Sequence, residues 1–433
     1  MRDERDPGKR TPDVGGTSDT SAEQLATSTA RAHRVMWILF VATLAAGFAE
    51  FGATTSLNDV ARHFGHFAQT NTIQSVVGLS GSALGLGLAA YRLSSLAALP
   101  LASLADHWGR TRVLRATLLG GLVITALASL SPSYWIFVLC FALARPLLSV
   151  ANTLVQIITV ELASVQLRVQ RIAIMAAGLG IGSGLSAVVH GAVRGPDSFR
   201  WLFALALVPV MLVVPFVRRI PEPATRPGET PFAHLGVVAR EARSRLAVVC
   251  SLAFVIGVIT GPAGGFTFVY AEGILKMRPS SVSVVVVVSG VAGLIGLVAS
   301  RRFARTWGRR QTVAAGVVLT ALASTVAYGG GTTPFIVGYI VGVGAGGLLS
   351  PVVTALSTEI FAHRFRATAA GWITVAGVLG AIAGLAVFGW VSDAVHTSSA
   401  TGLRIAAVVT FLPLLPALAL LVKLPESRAM ELT

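Results

Sequence analysis

Three ionisable residues stand inside long apolar stretches of this 433-residue chain: Glu50 in "GFAEFGATTS", Arg92 in "AAYRLSS" and Arg145 in "FALARPLLS". A charge at the centre of a membrane-crossing helix costs at least about 2.5 to 3.5 kcal/mol, so it persists only beside a partner or a water-filled cavity. A carboxylate in such a place can take up and release a proton. A nearby guanidinium favours its ionised form, desolvation favours the acid, and the balance sets its titration. Guanidinium also grips carboxylates and phosphates through paired donors. Two Arg against one Glu leave one surplus positive charge when Glu50 is ionised, which is the chemistry of a site for an anionic or zwitterionic solute. The alternative is a fixed Glu50–Arg145 pair tying two helices together, with Arg92 reaching toward the membrane interface.

Apolar helices must hold these groups. The chain is 54% hydrophobic and 12% charged, whereas soluble domains carry about twice that share of charge. Runs long enough to cross a bilayer, roughly 17 to 25 residues, occur about twelve times, near 36–57, 74–104, 113–130, 134–160, 172–193, 201–217, 246–271, 282–300, 312–328, 335–358, 368–391 and 405–422. They are numbered helix 1 to helix 12. Counted from Met36, Asp106 and Glu161 at 1.5 Å per residue, Glu50, Arg92 and Arg145 all lie roughly 21 to 24 Å from one face. Of the 34 Lys and Arg residues, 26 fall on the side that holds both termini. By the positive-inside rule that side is cytoplasmic, and a multi-pass protein of the cell membrane is expected. The net charge of +15 then reflects topology in a lipid bilayer. Nucleic acid is not an expected partner, because no basic stripe with interleaved aromatics appears.

Cys140 and Cys250 both lie within apolar runs, so neither a disulfide nor a metal site is expected. No phosphate-binding Gly-x-x-x-x-Gly-Lys-Ser/Thr loop occurs, which argues against ATP as a driving force. No nucleophile–base pair sits at depth, so an enzyme is not expected, and neither is a cofactor. His190 is the one His inside a run, near the end of helix 5, and reads as an interface residue. Gly180 and Gly184 of helix 5 read as sites of close helix packing. "TGPAGG" in helix 7 and "GGLLSP" in helix 10 read as breaks that bend a helix facing a cavity.

The sequence repeats itself. "LADHWGR" ends at Arg110 and "FARTWGR" at Arg309, 199 positions apart. "VELASVQLR" and "TEIFAHRFR" place Glu161 with Arg168, and Glu359 with Arg366, as ion pairs at the inner ends of helices 4 and 10. Helix 6 leaves through "RIPEP" and helix 12 through "KLPES". Matched pairs at nearly one spacing indicate a duplicated six-helix unit. The expected organisation is a disordered tail over 1–31, a first bundle over 32–218, a cytoplasmic linker over 219–245, a second bundle over 246–423 and a C-terminal tail over 424–433.

These residues resemble the major facilitator superfamily, which carries Gly-x-x-x-Asp-x-x-Gly-Arg-Arg/Lys-x-Arg/Lys between helices 2 and 3. Here Ala102 replaces the leading Gly, Asp106, Gly109, Arg110 and Arg112 match, and Thr111 replaces a basic residue. The second copy keeps Gly308, Arg309 and Arg310 but has Arg305 in place of the acid. The resemblance implies an all-α membrane protein of twelve helices in two pseudo-symmetric six-helix bundles, with helices 1 and 4 lining a central cavity. It implies that Asp106 meets the start of helix 11 as half of a cytoplasmic gate, which the Arg305 copy cannot reproduce. The implied function is a monomeric secondary transporter moving a small organic solute by alternating access, with protons as the coupling ion. Helix 5 lacks the Gly-Pro of many drug antiporters in that family. A proton-driven multidrug or metabolite exporter, and a nontransporting sensor or scaffold on the same fold, stand as alternatives.

Overall fold

A computed structural model describes residues 17–163, 167–193, 197–212, 214–218, 220, 243–359, 361, 366–413 and 415–423. The tail before residue 17, most of the expected linker and residues 424–433 lie outside the described residues. Among the described residues the chain forms helices and no strands. Eleven helices among the described residues are long and apolar enough to cross a membrane. Helix 1 is Thr17–Thr55, helix 2 Gly81–Trp108, helix 3 Arg110–Leu130, helix 4 Tyr134–Leu162, helix 5 Arg168–Ala192 and helix 6 Ser198–Val217. Helix 7 is Arg243–Gly265, helix 8 Pro279–Thr306, helix 9 Arg309–Ala327, helix 10 Thr332–Glu359 and helix 11 Arg366–Ala394. The twelfth is split into Ser399–Phe411 and a 3₁₀ stretch, Leu415–Lys423. Pro413 and Pro416 cause that break, since neither can donate the backbone hydrogen bond a continuous helix needs.

Helix 1 reaches back to Thr17, into the stretch expected to be disordered, because residues 22–31 include several good helix formers, Ala, Glu, Gln and Leu. Helix 2 starts later than its hydropathy suggests. Gly78 takes φ +91° and ends a short helix, Gln74–Val77, and the Ser80 side chain then caps helix 2 by accepting from the Ala83 amide. At its far end helix 2 passes through a 3₁₀ turn, Ser95–Ala97, before continuing over Ala98–Trp108. Pro100 falls in the first turn after that break, where its missing N–H costs little.

The two bundles share one packing plan. Helix 1 packs on 5, helix 3 on 4 and helix 2 on 4; in the second bundle helix 7 packs on 11, helix 9 on 10 and helix 8 on 10. Glycines let these backbones approach. A Cβ on Gly182 would collide with the Leu44 carbonyl of helix 1, and one on Gly380 with the Phe254 carbonyl of helix 7. Those glycines are 198 positions apart, the spacing of the sequence repeat. Gly180 and Gly184 have nothing within 4 Å of an added Cβ, so the close packing expected of them belongs to Gly178 and Gly182 on the other side of the helix.

Between bundles, helix 2 crosses helix 11 and helix 5 crosses helix 8. Gly81 and Gly85 lie against the backbone of Leu385 and Gly389 without room for a side chain. Gly85→Val is therefore expected to cost about 1 to 3 kcal/mol as an overpacked contact, measurable as a lower thermal midpoint of the purified protein. Gly264→Ala, which enters open space, should leave the midpoint nearly unchanged.

Candidate functional site

Helix 1 and helix 4 bring Glu50 and Arg145 together. The Arg145 Nη1 lies 2.8 Å from Glu50 Oε2, and the side chains are 18% and 15% exposed respectively. The same nitrogen donates to Tyr91 Oη at 2.7 Å, and Tyr91 in turn donates to the Glu50 backbone carbonyl at 2.9 Å. The guanidinium carbon sits 4.9 Å from the centre of the Tyr91 ring, a cation–π contact. Ser149 Oγ, one turn along helix 4, donates to Glu50 Oε1 at 3.3 Å. Both carboxylate oxygens thus have donors, while the buried Arg145 Nε has no acceptor. From this cluster helix 4 continues one polar side through Ser149, Asn152 and Gln156, at intervals that keep them in register.

Arg92 is half-buried and forms no ion pair among the described residues. The common depth read from the sequence therefore brings Glu50 to Arg145, with Arg92 one residue from the tyrosine that joins them. Tyr91 escaped the sequence reading, and so did the hydrogen-bonding role of Ser149. A Tyr preceding an intramembrane Arg, and a Ser four residues after another, were the available signals.

At the Arg-rich face, which carries Arg110, Arg112, Arg305, Arg309 and Arg310, both glycines of the repeated Trp-Gly-Arg take positive φ, +94° at Gly109 and +92° at Gly308. That conformation favours Gly and turns the chain sharply between spans. Arg110 bonds Asp106 at 3.2 Å and also meets the Glu161 carboxylate. Glu161 pairs with Arg110 and not with Arg168, which donates instead to the Ala163 carbonyl at 3.4 Å. Helix 2 ends where helix 4 ends, so Arg110 is the nearer cation. Arg112 and Arg305 are exposed, and Arg310 donates to the Val422 carbonyl. The side chains of Glu359 and Arg366 lie outside the described residues.

Among the described residues, polar bonds between the bundles lie at the opposite face. Asp393, ending helix 11, accepts from the Gly81 and Ser82 amides at 2.7 and 2.8 Å and from Ser82 Oγ at 2.6 Å, capping helix 2 across the joint. A carboxylate at a helix N-terminus is favoured by the unpaired amides and the helix dipole. Ser283 of helix 8 donates to the Ala187 carbonyl of helix 5 at 2.5 Å. His190, read from the sequence as an interface residue at the end of helix 5, is instead buried between the bundles, with Nε2 2.9 Å from Glu272 Oε1. Glu272 belongs to a π-helical turn, Val269–Ile274, beyond helix 7. The sequence reading passed over it and Asp393 because both lie at the ends of apolar runs.

Comparison with protein families matches the Major Facilitator Superfamily over residues 39–307 and 259–432. No curated protein sequence matches the chain. Among solved structures, the fold is similar to a bacterial homologue of the human lysosomal transporter Spinster, in an inward-facing and occupied conformation (TM-score 0.70, 14% identity, 90% of this chain and 96% of that chain covered). It is also similar to the nucleoside transporter NupG (0.72, 14%, 90% and 99%) and to a D-xylose-proton symporter (0.69, 16%, 92% and 98%). The duplicated bundles, the turn glycines of the repeated motif and the family match lead to one conclusion: this chain belongs to the Major Facilitator Superfamily, as a secondary transporter and not an enzyme.

Proposed function

We propose that the protein is a proton-coupled transporter of a small anionic or zwitterionic metabolite, with Glu50 as the coupling carboxylate and Arg145 and Arg92 as the cations that meet the solute. The observation that carries this reading is the Glu50–Arg145 pair, held at mid-span by Tyr91 and Ser149, beside an Arg92 that has no carboxylate partner among the described residues. When Glu50 takes a proton, Arg145 loses its counter-charge, and a substrate carboxylate or phosphate becomes the favoured replacement. Proton and anion uptake are thereby coupled without either touching the other. The likeness to a D-xylose-proton symporter fits a proton-driven cycle on this fold.

The Arg-rich face is read as cytoplasmic, following the positive-inside rule. The bundles are joined by polar bonds at the other face, which fits an inward-facing state. In this reading Asp106 and Arg110 form the inner gate, held within the first bundle until the inner face closes.

In liposomes with a pH-sensitive dye inside, an organic acid should drive proton movement through the wild type. Glu50→Gln should reduce it by about tenfold or more, a loss of at least about 1.4 kcal/mol in the coupled step. Unchanged proton movement in that variant would make Glu50 structural, and proton movement with cationic drugs alone would favour an exporter. Asp106→Asn should slow transport severalfold and leave binding of the solute intact, as measured by equilibrium binding beside flux. Arg112→Cys, introduced at an exposed position, should react with a membrane-impermeant thiol reagent only after cells are permeabilised; labelling of intact cells would invert the topology.

A further inference from the structure

We propose that His190, together with Glu272 and Asp59, is a second proton-binding site, filled while the face opposite the Arg-rich loops is closed and emptied when that face opens. The proposal rests on the bundles exchanging open faces and is independent of Glu50 as the coupling carboxylate.

His190 is 2% exposed and Glu272 6%. The two imidazole nitrogens point at different carboxylates: Nε2 lies 2.9 Å from Glu272 Oε1 and Nδ1 lies 3.6 Å from Asp59 Oδ2. Nδ1 is buried and has no hydrogen-bond partner at that distance. A neutral imidazole has one N–H and one lone pair, so it would aim the lone pair at one of the two carboxylates. An imidazolium offers a donor to each. Among the described residues no other cation is paired with Glu272 or Asp59. Asn58 Nδ2 donates to Glu272 Oε2 at 3.4 Å, Ser198 Oγ donates to Asp59 Oδ2 at 2.5 Å, and the Phe268 ring stands edge-on to His190 at 5.7 Å. Helix 8, which packs on helix 5 here, carries no charge before Arg301. On helix 1 beyond Arg34 the charged group is Glu50, bound to Arg145 of helix 4. Arg200 of helix 6 is bound to Asp197, the Ser129 carbonyl and His63. Arg62, Lys276 and Arg278 are exposed, and none of them forms an ion pair with this cluster. A buried Glu272 beside a half-buried Asp59 is unfavourable without a cation, so the proton on His190 completes the joint.

The cluster is divided between bundles. His190 and Asp59 belong to the first and Glu272 to the second, so opening this face withdraws Glu272 and admits water. The proton then loses its main acceptor and leaves to the bulk. By linkage, proton binding and closure of this face favour each other: acid holds it shut and alkali opens it.

The test is the distance between spin labels at Thr70→Cys and Thr397→Cys, exposed positions on the two bundles at this face, in a Cys140→Ala, Cys250→Ala background reconstituted in lipid nanodiscs. From about pH 5.5 to about pH 8.5, bracketing the range in which His ordinarily titrates, the short-distance population should fall. His190→Gln should lose that pH dependence, whereas Glu50→Gln should keep it while losing coupled proton movement in liposomes. A flat wild-type profile overturns the proposal without recourse to any variant, and so does a His190→Gln profile identical to wild type. If Glu50→Gln keeps coupled proton movement while His190→Gln flattens the distance profile, the coupling assignment fails and the His190 site stands.

Discussion

A polar group inside hydrocarbon must find its partner within the protein, and much of this architecture follows from that requirement. Backbone groups are satisfied within helices, which is why the described chain forms helices alone. The Glu50 carboxylate and the Arg145 guanidinium cannot satisfy themselves, so helices 1, 2 and 4 must stand where Glu50, Tyr91 and Arg145 can meet. Their bonds act as a ruler for the first bundle. The second bundle has no equivalent at mid-depth among its described residues, and relies on glycine-mediated backbone contact between helices 7 and 11. Both halves are fitted by shape, and the first adds charge.

Duplication turns this into a machine with two kinds of contact. Contacts inside each bundle repeat from one half to the other: helix 1 on 5 becomes helix 7 on 11, and helix 3 on 4 becomes helix 9 on 10. Contacts between bundles also respect the symmetry, since helix 2 on 11 maps onto helix 8 on 5. Their chemistry differs. One crossing is fixed by a carboxylate on a helix N-terminus, the other by a hydroxyl on a helix carbonyl. The halves have kept a common frame and diverged in the groups that fasten it.

The frame was legible in the sequence because it depends on composition and periodic spacing. Twelve apolar runs, the repeated Trp-Gly-Arg with its turn glycines, and the equal depth of Glu50 and Arg145 all follow from residue counts at 1.5 Å per residue. Contacts that depend on helix rotation were less accessible. Glu161 chose Arg110 over Arg168 because the ends of helices 2 and 4 lie side by side, which a one-dimensional spacing cannot reveal. Gly182 rather than Gly180 faces helix 1 for the same reason. Glu272 and Asp393 escaped notice because a residue at the end of an apolar run looks solvated until the other bundle covers it. Helix 12 looked continuous by hydropathy, which does not register the missing donors of Pro413 and Pro416.

The 3₁₀ turn at Ser95–Ala97 divides helix 2 between two allegiances. Above it, Gly81–Ser94 lies between helix 11 of the other bundle and helix 4 of its own, to which Tyr91 is bonded; below it, Ala98–Trp108 lies along helices 3 and 4. A tighter turn in mid-helix has poorer hydrogen bonds than the α segments on either side and bends at lower cost. Helix 2 is therefore two struts joined by a pin: the upper strut bears on both bundles at once, and the pin lets the lower one change its angle without disturbing that shared joint.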